Sequence, residues 1–359
     1  MAGFNKVDPV LQSEKVHAVD FVYEMPDEQI AEHPANPRDN SRLLVLSQQE
    51  EAKEEARFSE IGSYLSEGDV LVVNNTKVHP AKFETIKEET GDDIDVFLLR
   101  ELEPGVWEVQ VSPPRKVRIG NTLRFADDLI ADIIDNTVSS GRVIQFQKKD
   151  KDVADRLRKI GKMPLPPYID RAAREIDHEE YQTIFSEKVG SVAVPSGGLH
   201  FTESLVNTLK ERGIVFVEIT VHLGLGGYEK VTLSEINKYT MNADQFFISI
   251  EAAEQINQAL ENDNKVIAVG ASVVRALMSS HFQGKKIIPD NGWTDLFIYP
   301  PFHFNLLSGL ITNFHRPQAP TLLLQSAFLG REKILDAYHY AMDHEYRFEA
   351  FGDAMLLLK

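Results

Sequence analysis

Residues 190–223 read GSVAVPSGGLHFTESLVNTLKERGIVFVEITVHL, and the order of patterns in this stretch decides the fold. SVAVP has the look of a strand that stops at Pro195, after which Ser196, Gly197 and Gly198 bend the chain. ESLVNTLKERG carries helical apolar spacing, opens behind Thr202 as a cap and stops at Gly213. GIVFVEITVHL is a second, longer strand. Strand, glycine turn, helix and strand form the unit of a sheet covered by helices. The rhythm returns downstream in helix EAAEQINQALEN, strand KVIAVG and helix SVVRALMSS.

Upstream, SRLLVL (41–46) and DVLVV (69–73) read as buried strands. Between there and about residue 147 come the short β-type runs IDVFLLREL, VWEVQVS, NTLRF and RVIQFQ. Turn signals at Gly91, Pro104-Gly105, Pro113-Pro114, Gly120 and Gly141 separate them. Such spacing without a convincing helix predicts a small barrel. DVADRLRKIG then reads as a helix ending at Gly161, and DHEEYQTIF as one behind an Asp177 cap. The expected fold is α/β: a mixed sheet flanked by helices, with an inserted small β-barrel domain. Residues 1–66 and 156–359 form the discontinuous α/β domain, and 67–155 the insertion.

A chain of 359 residues has room for this arrangement, and 43% hydrophobic with 26% charged residues is ordinary for a globular protein. The absence of cysteine excludes disulfides and thiolate chemistry. The first twenty residues mix charges and lack an apolar segment, and no run approaches the roughly 18 apolar residues of a membrane helix, so a cytoplasmic protein without membrane contact is expected. A formal charge of −17 argues against a general nucleic-acid coat. Yet residues 142–174 hold ten Lys and Arg against four Asp, a local surplus of +6 that marks a candidate basic surface or a solvated helix face.

Ligands of α/β sheets sit where strands end and helices begin. Four such places stand out. In the opening stretch, Gly197 and Gly198 permit close backbone approach, the helix behind Thr202 offers free amides to an anion, and His200 titrates near neutral pH if solvated. HLGLGGY places Gly224, Gly226 and Gly227 after His222. AVGASVVRAL ends a strand at Gly270 and opens a helix at Ser272 that carries Arg275. TNFHRPQAP sets Asn313 and His315 between apolar runs. Near the C-terminus, Tyr346, Arg347 and Asp353 stand among aromatics. The eleven histidines are scattered, and none is paired with carboxylates at a metal-type spacing.

Taken in order, FVYEMPDEQIAEHPANPRDNSRLLVL, GDVLVVNNTKVHPAK, MPLPPYIDR, YQTIFSEKVGSVAVPSGGLHFT, HLGLGGY, AVGASVVRAL, TNFH and YRFEAFGDAML resemble the S-adenosylmethionine:tRNA ribosyltransferase-isomerases of queuosine biosynthesis. The resemblance spans nearly the whole chain. It implies an α/β domain with an inserted β-barrel. It also implies transfer and isomerisation of the ribosyl moiety of S-adenosylmethionine onto the 7-aminomethyl-7-deazaguanine base of tRNA, giving epoxyqueuosine. S-adenosylmethionine is then the ribosyl-donating substrate, no metal is needed, and the tRNA anticodon loop is the partner. Such chemistry asks for a base beside the sulfonium and help for the departing adenine. The resemblance assigns His200, Thr202, His222, His315 and Asp353 to catalysis. It assigns Asn74, Thr76, Ser196, Gly197, Gly198, Gly224, Gly226, Arg275, Asn313 and Arg347 to substrate binding.

The chain departs from the family pattern at clustered polar positions. Asn-Asp-Thr-Arg is Asn74, Asn75, Thr76, Lys77; His-x-Met-His-x-Glu is Tyr239 to Asp244; Gly-Thr-Phe is Gly226, Gly227, Tyr228. Ala-Pro-Thr-Ala-Gly is Val194 to Gly198, Leu-Pro-Lys-Ser-Thr is Arg316 to Pro320, and Phe-Phe-Ser-Tyr is Phe348 to Phe351. These changes leave two further readings: a relative with another acceptor, and a nucleoside- or RNA-binding protein without turnover.

Overall fold

The computed structural model describes residues 16–137, 141–148, 152–232 and 236–359. Its centre is a mixed sheet of nine strands. Val215–His222, Val70–Asn74, Val266–Val269 and Gly309–Asn313 lie side by side in parallel. Ala354–Leu358 runs antiparallel to Gly309–Asn313 and parallel to Arg42–Ser47, and Glu54–Arg57 closes that edge. At the other edge Asp244–Ile248 and Asp290–Thr294 are added antiparallel.

The central strands are buried on both faces, which is why they read as unbroken apolar runs rather than alternating ones. Odd and even positions serve different layers. Leu43, Val45, Leu71, Val73, Ile267 and Ile311 pack against the helix Glu203–Glu211 and the turn Phe58–Tyr64. Leu44, Leu46, Val70, Val72, Ala268 and Leu310 meet the helices Ile250–Glu261, Ala271–Ser279, Pro320–Leu329 and Arg331–Asp343 on the other face.

The second body is a closed antiparallel barrel of Lys82–Lys87, Asp93–Glu103, Val106–Ser112, Thr122–Ala126, Leu129–Asn136 and Arg142–Phe146. Its strands alternate buried and exposed residues, as a barrel with a filled interior requires. The mixed sheet and the barrel thus stand as the sequence patterns predict.

The expected boundaries do not coincide with the strands. Val70–Asn74, placed by the sequence reading inside the insertion, is the middle of the nine-stranded sheet, and the barrel begins at Lys82. Val153 and Leu157 of the helix Asp152–Ile160 pack into the barrel core, carrying that body past residue 155. The reason is connectivity: a buried apolar run has the same pattern in either sheet, and only long-range pairing assigns it. The SVAVP strand is also shorter than its pattern, since Lys188–Ser191 pairs with Thr76–Val78 and the chain leaves the ladder after Ser191. Asp177 is the first residue of a single-turn helix, Asp177–Glu180, whose carboxylate is taken by Arg171 and the Arg174 amide (2.6 Å).

Candidate active site

A cleft of about 900 Å³ opens at the carboxyl ends of three parallel strands. Its floor is made of Pro195, Ser196 and Gly197 facing Gly270, Ala271 and Ser272. The two glycines are forced by contact. A Cβ on Gly197 would stand 3.0 Å from the Gly270 nitrogen and 3.1 Å from the Ile311 carbonyl oxygen, and Gly270 has φ +92°. Two loop backbones therefore cross here at a distance that no side chain allows.

One wall carries Gly224, Asp244 and Arg275. The guanidinium donates to Asp244 Oδ2 (2.5 Å) and to the carbonyls of Leu296, Thr294 and Asn242, while Asp244 Oδ1 accepts from the Gly224 amide at 3.0 Å. Burial pushes the Asp244 carboxyl up, and Arg275 and the Gly224 amide oppose that shift. Every lobe of this ion pair is occupied, so it braces the glycine loop.

The other polar group contains His315, Glu349, Tyr168 and Tyr228. Glu349 is buried at φ +70°, a strained position for a residue with a side chain. Its Oε1 accepts from the backbone amide of Arg316 (2.8 Å) and from Arg316 Nε (2.9 Å). Its Oε2 lies 3.9 Å from His315 Nδ1, a Coulombic distance rather than a hydrogen bond. Burial alone raises the Glu349 carboxyl, but neighbouring His315 and the guanidinium and amide of Arg316 hold it below its ordinary value. Arg316 also stacks over Tyr168, 4.5 Å from the ring centroid. Burial keeps the Tyr168 and Tyr228 phenols well above their usual range, hence protonated. Met241, Phe297 and Leu324 complete the lining as apolar surface.

Of the residues given catalytic or binding roles from sequence, Ser196, Gly197, Gly224, Arg275 and His315 line this cleft, and so do Gly227, Gly270 and Ser272 of the glycine loop and helix opening. Gly198 packs on Thr183 and Gly226 on Asn242, one residue away from the lining. The others serve neighbouring structure. His200 is buried, bonded through Nδ1 to Ser41 Oγ (2.8 Å) and stacked on Phe58 with ring centroids 4.9 Å apart. Burial pushes its imidazole down to about 4, so it is neutral at pH 7 rather than titrating there as the solvated side chain would. Thr202 caps its helix as predicted, accepting from the Leu205 amide (3.1 Å) and donating to Asp39 (2.8 Å). His222 Nδ1 meets Thr76 Oγ1 at 2.8 Å, beside Ser191 Oγ at 2.6 Å. Asn74 ties Thr76 to both backbone groups of Val221. Asn313 donates to the Glu349 carbonyl (3.1 Å), holding the turn that carries the glutamate. Asp353 accepts from the amides of Arg42 and Arg347, with Arg347 Nη2 at 3.5 Å, and so knots the C-terminal turn.

Sequence reasoning passed over Tyr168, Glu349 and the part played by Asp244. A lone acid inside the aromatic run FEAF was the available signal for Glu349. Two clusters of departures from the family pattern meet in space: Arg316, where the pattern has Leu, pairs with Glu349, where it has Phe. Likewise Tyr239 and Asn242, in place of two histidines, both donate to Glu229 (3.2 and 3.0 Å).

The basic segment is largely matched by acids. Arg156 and Lys148 reach Asp128, Arg158 reaches Asp155, Lys162 reaches Glu84 (2.6 Å) and Arg171 reaches Asp177. Lys149 and Lys151 lie outside the described residues. Among the described residues no group of His, Asp and Glu stands as a metal cage, and no helix is long and apolar enough to cross a membrane.

A mixed sheet with a cleft at the carboxyl ends of its parallel strands, joined to a closed barrel, defines a two-body α/β protein with a ligand-sized site. Comparison with known proteins gives the family: the model described as "Queuosine biosynthesis protein" matches residues 18–357, and the chain belongs to that family. The S-adenosylmethionine:tRNA ribosyltransferase-isomerase of Flavobacterium psychrophilum is 42% identical over 344 residues, covering 94% of this chain and 99% of the relative. That of Chloroherpeton thalassium is 41% identical over 341 residues, with the same coverage. The crystal structure of an S-adenosylmethionine tRNA ribosyltransferase from Thermotoga maritima is similar with a TM-score of 0.53 and 33% identity, over 94% of this chain and all of that one.

Proposed function

We infer that this chain transfers and isomerises the ribosyl moiety of S-adenosylmethionine onto the 7-aminomethyl-7-deazaguanine base of tRNA, giving epoxyqueuosine. The observation that carries this reading is near-full-length identity of about 40% to relatives bearing that activity in their names, with every strand-end loop of the cleft inside the matched region. The tRNA enters through its anticodon loop, which exposes a single base as a duplex cannot. A cytoplasmic location goes with that substrate.

Within the cleft, His315 is the histidine of the lining, and we assign it the proton transfers beside the sulfonium. The Glu349 carboxylate, 3.9 Å from Nδ1, stabilises the imidazolium that such a transfer creates. The aromatic lining of Tyr228 and Phe297, with the Glu349 carboxylate beside it, suits a sulfonium cation. His200, His222 and Asp353 position the loops behind these groups rather than touching substrate.

The test is turnover. Purified protein is incubated with S-adenosylmethionine and tRNA bearing the aminomethyl base, and adenine, methionine and epoxyqueuosine are sought by mass spectrometry. All three are expected, with His315→Ala slower by ~10²- to 10⁴-fold. No product, while a relative succeeds in parallel, would overturn the reading and favour a different acceptor.

A further inference from the structure

The floor of the cleft contains a donor group that the protein leaves unused. The helix Ala271–Ser279 begins directly at the floor, behind Gly270, and no side chain caps it. The N–H groups of its first turn have no acceptor within the helix and concentrate the positive end of the helix dipole. Ser272 sits in that turn. It is 8% exposed and lines the cleft, yet its Oγ is buried without a hydrogen-bond partner. A buried hydroxyl left unbonded is costly, and proteins seldom keep one without use for it. The Oγ lies 3.8 Å from the position a Gly270 Cβ would take, so the absent side chain leaves this end of the helix open.

The nearby cations do not compete for an anion here. Arg275, one turn further along, spends its donors on Asp244 and three carbonyls. Arg316 is not part of the cleft lining, and its Nε and Nη2 are taken by Glu349 and the Tyr228 carbonyl. An anion at the floor would therefore be met by neutral donors: backbone amides and the hydroxyls of Ser272 and Ser196. Such a set suits a single-charged carboxylate of a small ligand. A nucleic-acid phosphate would seek free Lys or Arg, and a buried floor is out of reach of a polymer backbone.

We propose that the first turn of the helix Ala271–Ser279, with Ser272 Oγ, binds the carboxylate of the methionyl part of S-adenosylmethionine. The assignment rests on the function inferred above and adds a place for one end of the donor. It also separates charges sensibly: the carboxylate goes to the helix start, and the cationic sulfonium goes to the wall that holds Glu349 and the tyrosines.

The experiment is calorimetric titration of the full chain with S-adenosylmethionine and with its decarboxylated analogue, which lacks only the carboxylate. Wild type, Ser272→Ala and Ser272→Thr are compared, and thermal melts of the free proteins are recorded. Wild type is expected to prefer S-adenosylmethionine over the analogue by ~10- to 100-fold. Ser272→Ala is expected to lose roughly tenfold for S-adenosylmethionine and to leave the analogue within about twofold, with an unchanged or higher melting temperature. Ser272→Thr, which keeps a hydroxyl, is expected to retain most of the preference. Equal weakening of both ligands, or equal binding of both by wild type, overturns the carboxylate assignment and leaves the reaction standing. In a parallel titration with tRNA, weakened binding by Ser272→Ala with S-adenosylmethionine unaffected makes the anion a phosphate and also overturns it. Failure of wild type to bind either ligand overturns the functional reading, and the assignment with it.

Discussion

The loop Ala193–Thr202 has two halves that work in different environments. Its first half, up to Gly197, faces the cleft and meets the backbone of Gly270 at van der Waals limits. Its second half, from Gly198 to Thr202, is folded back into the packed layer: His200 against Ser41 and Phe58, Phe201 among aromatic rings, Thr202 on the next helix. The short turn Ser196–Gly198 separates them. What differs is solvation. A polar group in the first half can exchange its partner for a ligand, whereas one in the second half is already committed or sealed off. Residue types that look equally functional in a sequence thus divide into ligand-facing and scaffold groups within a few positions.

That contrast can be broken in several ways. The largest effect belongs to Glu349, which stands on the cleft side. Glu349→Ala leaves the half-buried Arg316 charge without its partner and should cost about 3 kcal/mol in urea unfolding, whereas the double variant Arg316→Leu, Glu349→Phe should fall within about 1 kcal/mol of the parent. If the double variant is as unstable as the single, the ion pair is more than a replacement for an apolar contact.

His200 tests the other side. Its folded imidazole is held down at about 4 by burial, against 6.5 in the open chain. Between those values the unfolded chain takes up a proton that the folded one refuses, so stability falls as pH drops from about 6.5 and the loss levels off near 4. The amount is about 3 kcal/mol, and His200→Gln should flatten that part of the stability–pH curve. His222 and His79, also lowered by burial, add to the slope in the same direction. A collapse of turnover in His200→Gln with an unaltered stability curve would move His200 to the ligand-facing half.

Gly197→Val pushes a side chain into the Gly270 backbone and displaces the cleft floor. A displacement near 1 Å is worth roughly a hundredfold in turnover, read as kcat with S-adenosylmethionine saturating. Parent-like turnover would show that the two loops separate freely. The smallest change is expected from Thr202→Ala, which removes a cap and costs about 1 kcal/mol in a thermal melt, with KM for S-adenosylmethionine unchanged. A raised KM would place Thr202 at the ligand after all.

Much of the site was legible because glycines and helix openings mark strand ends. Ser196, Gly197, Gly224 and Arg275 were found that way, and all four line the cleft. His200 and Asp353 were legible as unusual residues, but their direction was not, since one turn of backbone rotates a side chain from cleft to core. Glu349 and Tyr168 sit in stretches that read as packing, and they reach the cleft only because the C-terminal turn and the segment before Asp177 fold over it. The basic segment 142–174 shows the same limit. Its surplus is real along the chain, but Asp128, Glu84 and Asp177 are brought to it from elsewhere or alongside by the fold.

Local pattern by itself determined the elements of this protein: buried runs for the central sheet, alternating runs for the barrel, capped helices between them, and family motifs that name its chemistry. Tertiary structure alone decided which sheet received Val70–Asn74, which half of the glycine loop met the cleft, and which substituted residues became partners. The physical reason is the range of the forces involved. Propensity, capping and periodicity act over a few residues and are written in neighbours. Burial, desolvation and ion pairing between positions such as 316 and 349 exist only once distant segments share the same few ångströms.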